Sequence, residues 1–124
     1  MIVIIAGSRD LFVPVSVIEE AVAASNFEVH EIVSGGARGI DSCGELYAME
    51  KNIKLTRFPI QDFEWREWEA RGKTGANPGH ARNEKMARYG EALIVVWKQQ
   101  TPGTADMLRR ARAHQLLSYI HRLP

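Results

Sequence analysis

Three glycines fall within five positions in Ser34-Gly35-Gly36-Ala37-Arg38-Gly39-Ile40-Asp41. Such a stretch can turn the backbone sharply and bring its N–H groups against a ligand with no side chain between. It follows an apolar run and opens onto a helical pattern at Ile40, so its amides and the positive end of a helix dipole would face an incoming anion. Phosphate suits that chemistry, although a plain strand-to-helix turn also needs a glycine. Gly7-Ser8-Arg9 closes another apolar run with a hydroxyl and a guanidinium, both fitted to phosphate oxygens; a surface ion pair of Arg9 is the duller alternative. Arg82-Asn83 opens a third helical pattern, and Thr101-Pro102-Gly103-Thr104 a fourth, where Thr104 can cap the helix and touch an anion. Asp41, in a first helical turn, either complements the dipole or holds a ribose hydroxyl.

Other groups are less promising. Gly72-Lys73-Thr74 lacks the preceding glycine spacing and the strand that a phosphate-cradling Walker loop requires. His30, His80, His114 and His121 have no paired ligand spacing, so no metal is expected. His80 is placed to touch a ligand, although a histidine beside a Pro-Gly turn is more often an exposed polar residue. Cys43 is the single cysteine, which excludes an internal disulfide and a thiolate metal site and fits a cytoplasmic protein.

The elements that must position these loops follow from the apolar pattern. The 124 residues suit one domain, and 45% hydrophobic with 25% charged residues is ordinary for a globular chain. A net charge of +1 supplies no general field for nucleic acid or membrane. The apolar start, Met1 to Ala6, is too short for a signal peptide or a membrane span. Ile2 to Ala6 and Ala92 to Trp97 are continuous apolar runs, as in parallel strands covered on both faces. Shorter strands are predicted over His30 to Val33, Ile53 to Phe58 and Leu116 to Leu123, the last polar enough for a sheet edge.

Helices are predicted from Pro14 to Asn26, from Ile40 to Asn52, from His80 to Tyr89 and from Ala105 to His114. In the second of these, Ile40, Cys43, Leu46, Tyr47 and Met49 are expected to face the core. Residues 60 to 77 interrupt the rhythm with a short helical pattern rich in Phe63, Trp65 and Trp68, which serves either as a base-stacking lid or as a staple to the core or a subunit interface. The alternation implies an α/β, Rossmann-like doubly wound domain with a mainly parallel five-stranded sheet and helices on both faces. Strand order 3-2-1-4-5 would gather the four loops at a switch point, where such folds bind ligands.

Taken together, Gly7-Ser8-Arg9, the Ser34 to Asp41 loop, Arg82-Asn83-x-x-Met86 and Gly103-Thr104 resemble the motifs of the SLOG superfamily, in the same order. That superfamily includes DNA-processing proteins of natural transformation and the Lonely-guy phosphoribohydrolases. The likeness is to its small stand-alone branch in bacteria and phages, with its aromatic-rich loop before the Arg-Asn motif. It implies a Rossmann-like domain that binds a nucleotide or nucleotide-derived ligand without a cofactor, often as a homodimer or higher oligomer.

The Lonely-guy enzymes pair an arginine matching Arg82 with a glutamate that cleaves an N-glycosidic bond. Here Met107 stands where the glutamate is expected, and Asp106 lies one residue early, about 100° around the helix. The leading expectation is therefore a sensor or sequestering module contacting its ligand through Gly7, Ser8, Arg9, Ser34, Gly35, Gly36, Ala37, Arg38, Gly39, Asp41, Arg82, Asn83, Thr101, Gly103 and Thr104. The alternative is a nucleoside 5′-monophosphate phosphoribohydrolase using Arg82 with Asp106 or Glu84. Single-stranded DNA binding is a third reading, disfavoured by the balanced charge.

Overall fold

The computed structural model describes residues 1–124. β1 (Ile2–Gly7), β2 (Glu31–Ser34), β3 (Lys54–Arg57), β4 (Ala92–Trp97) and β5 (Leu117–Arg122) form one sheet in the order β3-β2-β1-β4-β5, with every neighbouring pair parallel. From β1 the chain winds outward through β2 to β3, then crosses to β4 and β5. The switch point therefore lies between β1 and β4.

Helices α1 (Val15–Ser25) and α2 (Ile40–Glu50) cover one face of the sheet, and α4 (Pro78–Tyr89) and α5 (Pro102–Ala113) cover the other. Alternation within β1 explains how one apolar strand serves both: Val3 and Ile5 pack with Ile18, Ile40 and Tyr47, whereas Ile4 and Ala6 pack with Met86, Leu93 and Met107. Each fully buried aliphatic side chain contributes roughly 1.5–3 kcal/mol by leaving water. Two cores back to back thus hold the central strands rigid.

Helix α3 (Asp62–Ala70) is different. It has no buried residue, and its first turn is closed by Glu64, whose carboxylate accepts the Gln61 N–H at 2.7 Å. Its main packing partner is α4, with Trp65 and Trp68 edge to face at 6.0 Å.

Several boundaries differ from expectation. α4 begins at Pro78 because Asn77 caps it, accepting the His80 N–H at 2.8 Å, and proline needs no donor at N1. α5 likewise begins at Pro102, three residues earlier than its apolar pattern indicates. Leu46 and Met49, expected in the core, are 53% and 66% exposed. Ile40, Cys43, Gly44, Tyr47 and Ala48 already fill the inward stripe of α2, and the two larger side chains fall on its outer face. No helix is long and apolar enough to cross a membrane.

Candidate functional site

At the carboxyl ends of β1 and β4 lies a cavity of about 560 Å³, lined by parts of all four loops. Ser8 and Arg9, Gly35 to Ala37, Arg82 and Asn83, and Thr101 to Thr104 all reach it, as do Asp41 and Trp65.

The α2 loop is locked onto the β1 loop. Gly39 has φ +72°, and a β-carbon there would stand 2.3 Å from the Ser8 carbonyl oxygen, so only glycine fits. The Ile40 N–H donates to that same carbonyl at 3.2 Å. Within the loop, the Gly36 N–H donates to Ser34 Oγ at 3.0 Å and the Ala37 N–H to Asp41 Oδ2 at 3.2 Å. Ser34 Oγ in turn donates to Glu45 at 2.6 Å. Two of the amides expected to cradle an anion are therefore satisfied by the chain's own side chains.

Arg82 crosses over Gly35, where a β-carbon would meet both its guanidinium and the Asp41 carboxylate. It donates from Nη1 to the Gly35 carbonyl and from Nε to Asn83 Oδ1 at 3.2 Å. Burial pushes the Asp41 carboxyl up to about 6, outweighing the attraction of Arg82, the Ala37 N–H and Arg9. Burial also lowers Arg82, against the pull of Asp41. Desolvation thus dominates both members of the pair, while an arginine still keeps its proton at neutral pH.

The α5 turn is open by contrast. Thr101 Oγ1 donates to Thr104 Oγ1 at 2.9 Å, and Asn83 Nδ2 ties the Gly103 carbonyl at 3.2 Å. Helix geometry leaves the Gly103 and Thr104 amides without an intrahelical acceptor, at a turn that lines the cavity.

Three predicted contact residues lie elsewhere. Arg38 is exposed and its guanidinium sits 5.9 Å from the centre of the Phe12 ring, outside the cavity. Ser34 is buried under the loop against Glu45, and Gly39 is packed on the β1 loop. Their roles are to shape the wall.

Neither candidate catalytic carboxylate lines the cavity. Asp106 is 3% exposed and accepts from Asn83 at 3.0 Å and Arg110 at 2.9 Å. Burial alone would raise its carboxyl, but these bonds and the nearby His80 hold it below the usual range. Glu84 binds Arg88, Arg110 and His114, and the His114 contact foremost draws its carboxyl down as well. Met107 is the residue that faces the cavity from this stretch of α5. His80, whose sequence context favours simple exposure over ligand contact, lines the cavity too. No sequence spacing marks that placement, since it follows from the Asn77 cap that starts α4 early.

No family model and no curated protein matches the chain. Among solved structures it is similar to DNA processing protein A from Streptococcus pneumoniae, with TM-score 0.69 and 19% identity over 95% of this chain. The chain spans about half of that protein's length, 49%. The likeness lies in the fold, an arrangement of five parallel strands with helices on both faces.

Proposed function

We propose that the cavity binds a nucleotide or a nucleotide-derived ligand, and that the protein acts as a sensor or sequestering module. The observation that carries this is the meeting of an open helix start, Gly103-Thr104, with two guanidiniums, Arg9 and Arg82, in one cavity at the sheet's switch point. A phosphate at the α5 turn would be balanced by both arginines. Trp65, on the cavity wall and 38% exposed, offers a ring for a base to stack on, worth roughly 1–3 kcal/mol.

A calorimetric screen of nucleoside mono- and diphosphates, ADP-ribose and cyclic nucleotides tests the reading. Binding that Arg9→Ala and Gly36→Val both weaken supports it. No binding by the native protein, or binding indifferent to both changes, defeats it. Quenching of Trp65 fluorescence by the bound ligand, lost in Trp65→Leu, distinguishes a stacked base from a bare sugar phosphate.

A phosphoribohydrolase reading has less support, because Asp106 and Glu84 are engaged in ion pairs away from the cavity. Free base released from AMP-type substrates would reinstate it. A homo-oligomer also belongs to this proposal, since Leu46 and Met49 project from α2 into solvent. Sedimentation of the native chain beside Leu46→Glu checks that part.

A further inference from the structure

His80 occupies the first turn of α4 with its backbone N–H fixed by Asn77 at 2.8 Å. Its ring Nδ1 stands 3.8 Å from Asp106 Oδ1, within ion-pair range, and the Asp106 side chain is only 4% exposed. That carboxylate cannot swing away, since Asn83, Arg110 and Arg109 hold it at 3.0, 2.9 and 3.3 Å. The two nitrogens of an imidazole are distinct, and their hydrogen-bond directions diverge outward from the ring. With Nδ1 turned to the buried acid, Nε2 is left for the cavity that His80 lines.

Resting on the nucleotide-binding reading, we propose that His80 is a ligand-contacting residue that presents Nε2 to a phosphoryl oxygen, with Asp106 as its positioning residue. A bound phosphate completes a series of carboxylate, imidazole ring and phosphate in which the ring bridges two anions. Asp106, first considered as an acid for bond cleavage, acts instead through the ring and through the Asn83 amide. His80 joins Arg9 and Arg82 as a third nitrogen donor of the pocket, and the one whose reach is set by a buried partner.

The test begins on the unaltered protein, with ring-proton NMR during titration with inorganic pyrophosphate. The His80 signals, identified by their disappearance in His80→Gln, shift saturably, while those of His30, His114 and His121 stay. In Asp106→Asn the same titration moves the His80 signals less. Calorimetry with the tightest-binding nucleotide then gives roughly tenfold weaker binding for His80→Gln, the size of one charge-assisted hydrogen bond. Asp106→Asn costs less in the His80→Gln background than alone, which a purely structural role would not produce.

If nucleotides bind while the His80 signals stay still and His80→Gln binds equally well, this assignment falls and the nucleotide-binding reading stands. If pyrophosphate moves His80 but no nucleotide binds, the assignment stands and the nucleotide ligand is wrong. If neither occurs, both are overturned. The native-protein titration decides even where a substitution at Asp106 fails to fold.

Discussion

Two helix starts share the rim of the cavity, and they are built on opposite plans. At α2 the loop amides of Gly36 and Ala37 already serve Ser34 and Asp41, and the turn is pinned to the β1 loop through Gly39 and Ile40. At α5 the Gly103 position has no atom within 4 Å of where a β-carbon would stand, and the first amides look for an outside acceptor. A glycine-rich turn is thus a poor guide to where an anion sits. In α2 the glycines admit the protein's own carbonyl and guanidinium, so the turn is a wall; in α5 the turn stays open to the cavity.

The most damaging way to break this contrast is Gly39→Val. A side chain there meets the carbonyls of Ser8 and Arg9 and must hold a positive φ, at a cost of about 4 kcal/mol from clash and backbone strain together. Urea unfolding should show that loss, and any fraction that folds should bind ligand poorly because the Arg9 loop has moved. Unchanged stability would mean that the two loops are not pinned.

This is also where the sequence was least informative. The strands were legible because β1 and β4 are apolar throughout and β5 is not, and the loops were legible because residues that cannot continue a helix or strand cluster in them. Whether a glycine approaches a ligand or the chain itself depends on what lies across from it, and no local pattern encodes that. Gly35 packs under Arg82, which lies 47 residues onward. The same limit hid the outward turn of Leu46 and Met49 and the capture of Asp106 by Asn83. The first was decided by which residues filled the inward stripe of α2, the second by an amide 23 residues earlier in the chain. The offset of Asp106 from the expected glutamate position was legible, and in the fold Met107 lines the cavity while Asp106 does not.

Asp41 sharpens the comparison through pH. Its ordinary value is 3.8, and in the fold it rises to about 6, so between those values the folded state binds more protons than the unfolded one. Stability contributed by this group therefore falls as pH rises through that window, by at most about 3 kcal/mol at its upper end. In Asp41→Asn that part of the pH dependence of unfolding disappears. The same sign applies to binding, since an anion beside Asp41 favours its protonated form. ADP-ribose has no phosphate group that titrates between pH 5 and 8, so its affinity should rise from pH 7 to pH 5 in the native protein and stay flatter in Asp41→Asn. A profile identical in both would remove Asp41 from the electrostatics of the site.

Arg82→Ala comes next in size. It strips the buried Asp41 of its main counter-charge and leaves the Gly35 carbonyl without a donor, for a loss of about 2 kcal/mol, below that of a fully buried pair because Arg82 itself is only half-buried. Arg82→Lys should recover part of the stability and little of the ligand affinity, since an ammonium cannot span the Gly35 carbonyl and Asn83 as a guanidinium does. Equal recovery of both, measured by thermal unfolding and calorimetry, would reduce Arg82 to a point charge.

Gly103→Ala has the smallest expected effect and separates the two helix starts most cleanly. The new methyl meets nothing in the protein, and alanine is the better helix former, so stability should change by less than about 0.5 kcal/mol in either direction. A ligand phosphate drawn against the Gly103 and Thr104 amides would meet that methyl directly, and affinity should fall roughly threefold, the equivalent of about 0.65 kcal/mol. Gly39→Val loses binding because the fold gives way, whereas Gly103→Ala would lose it with the fold intact. Calorimetry and a melting curve on that one variant therefore test whether α5 receives the anion, and an unaltered affinity would move the seat to Arg9 and Arg82 alone.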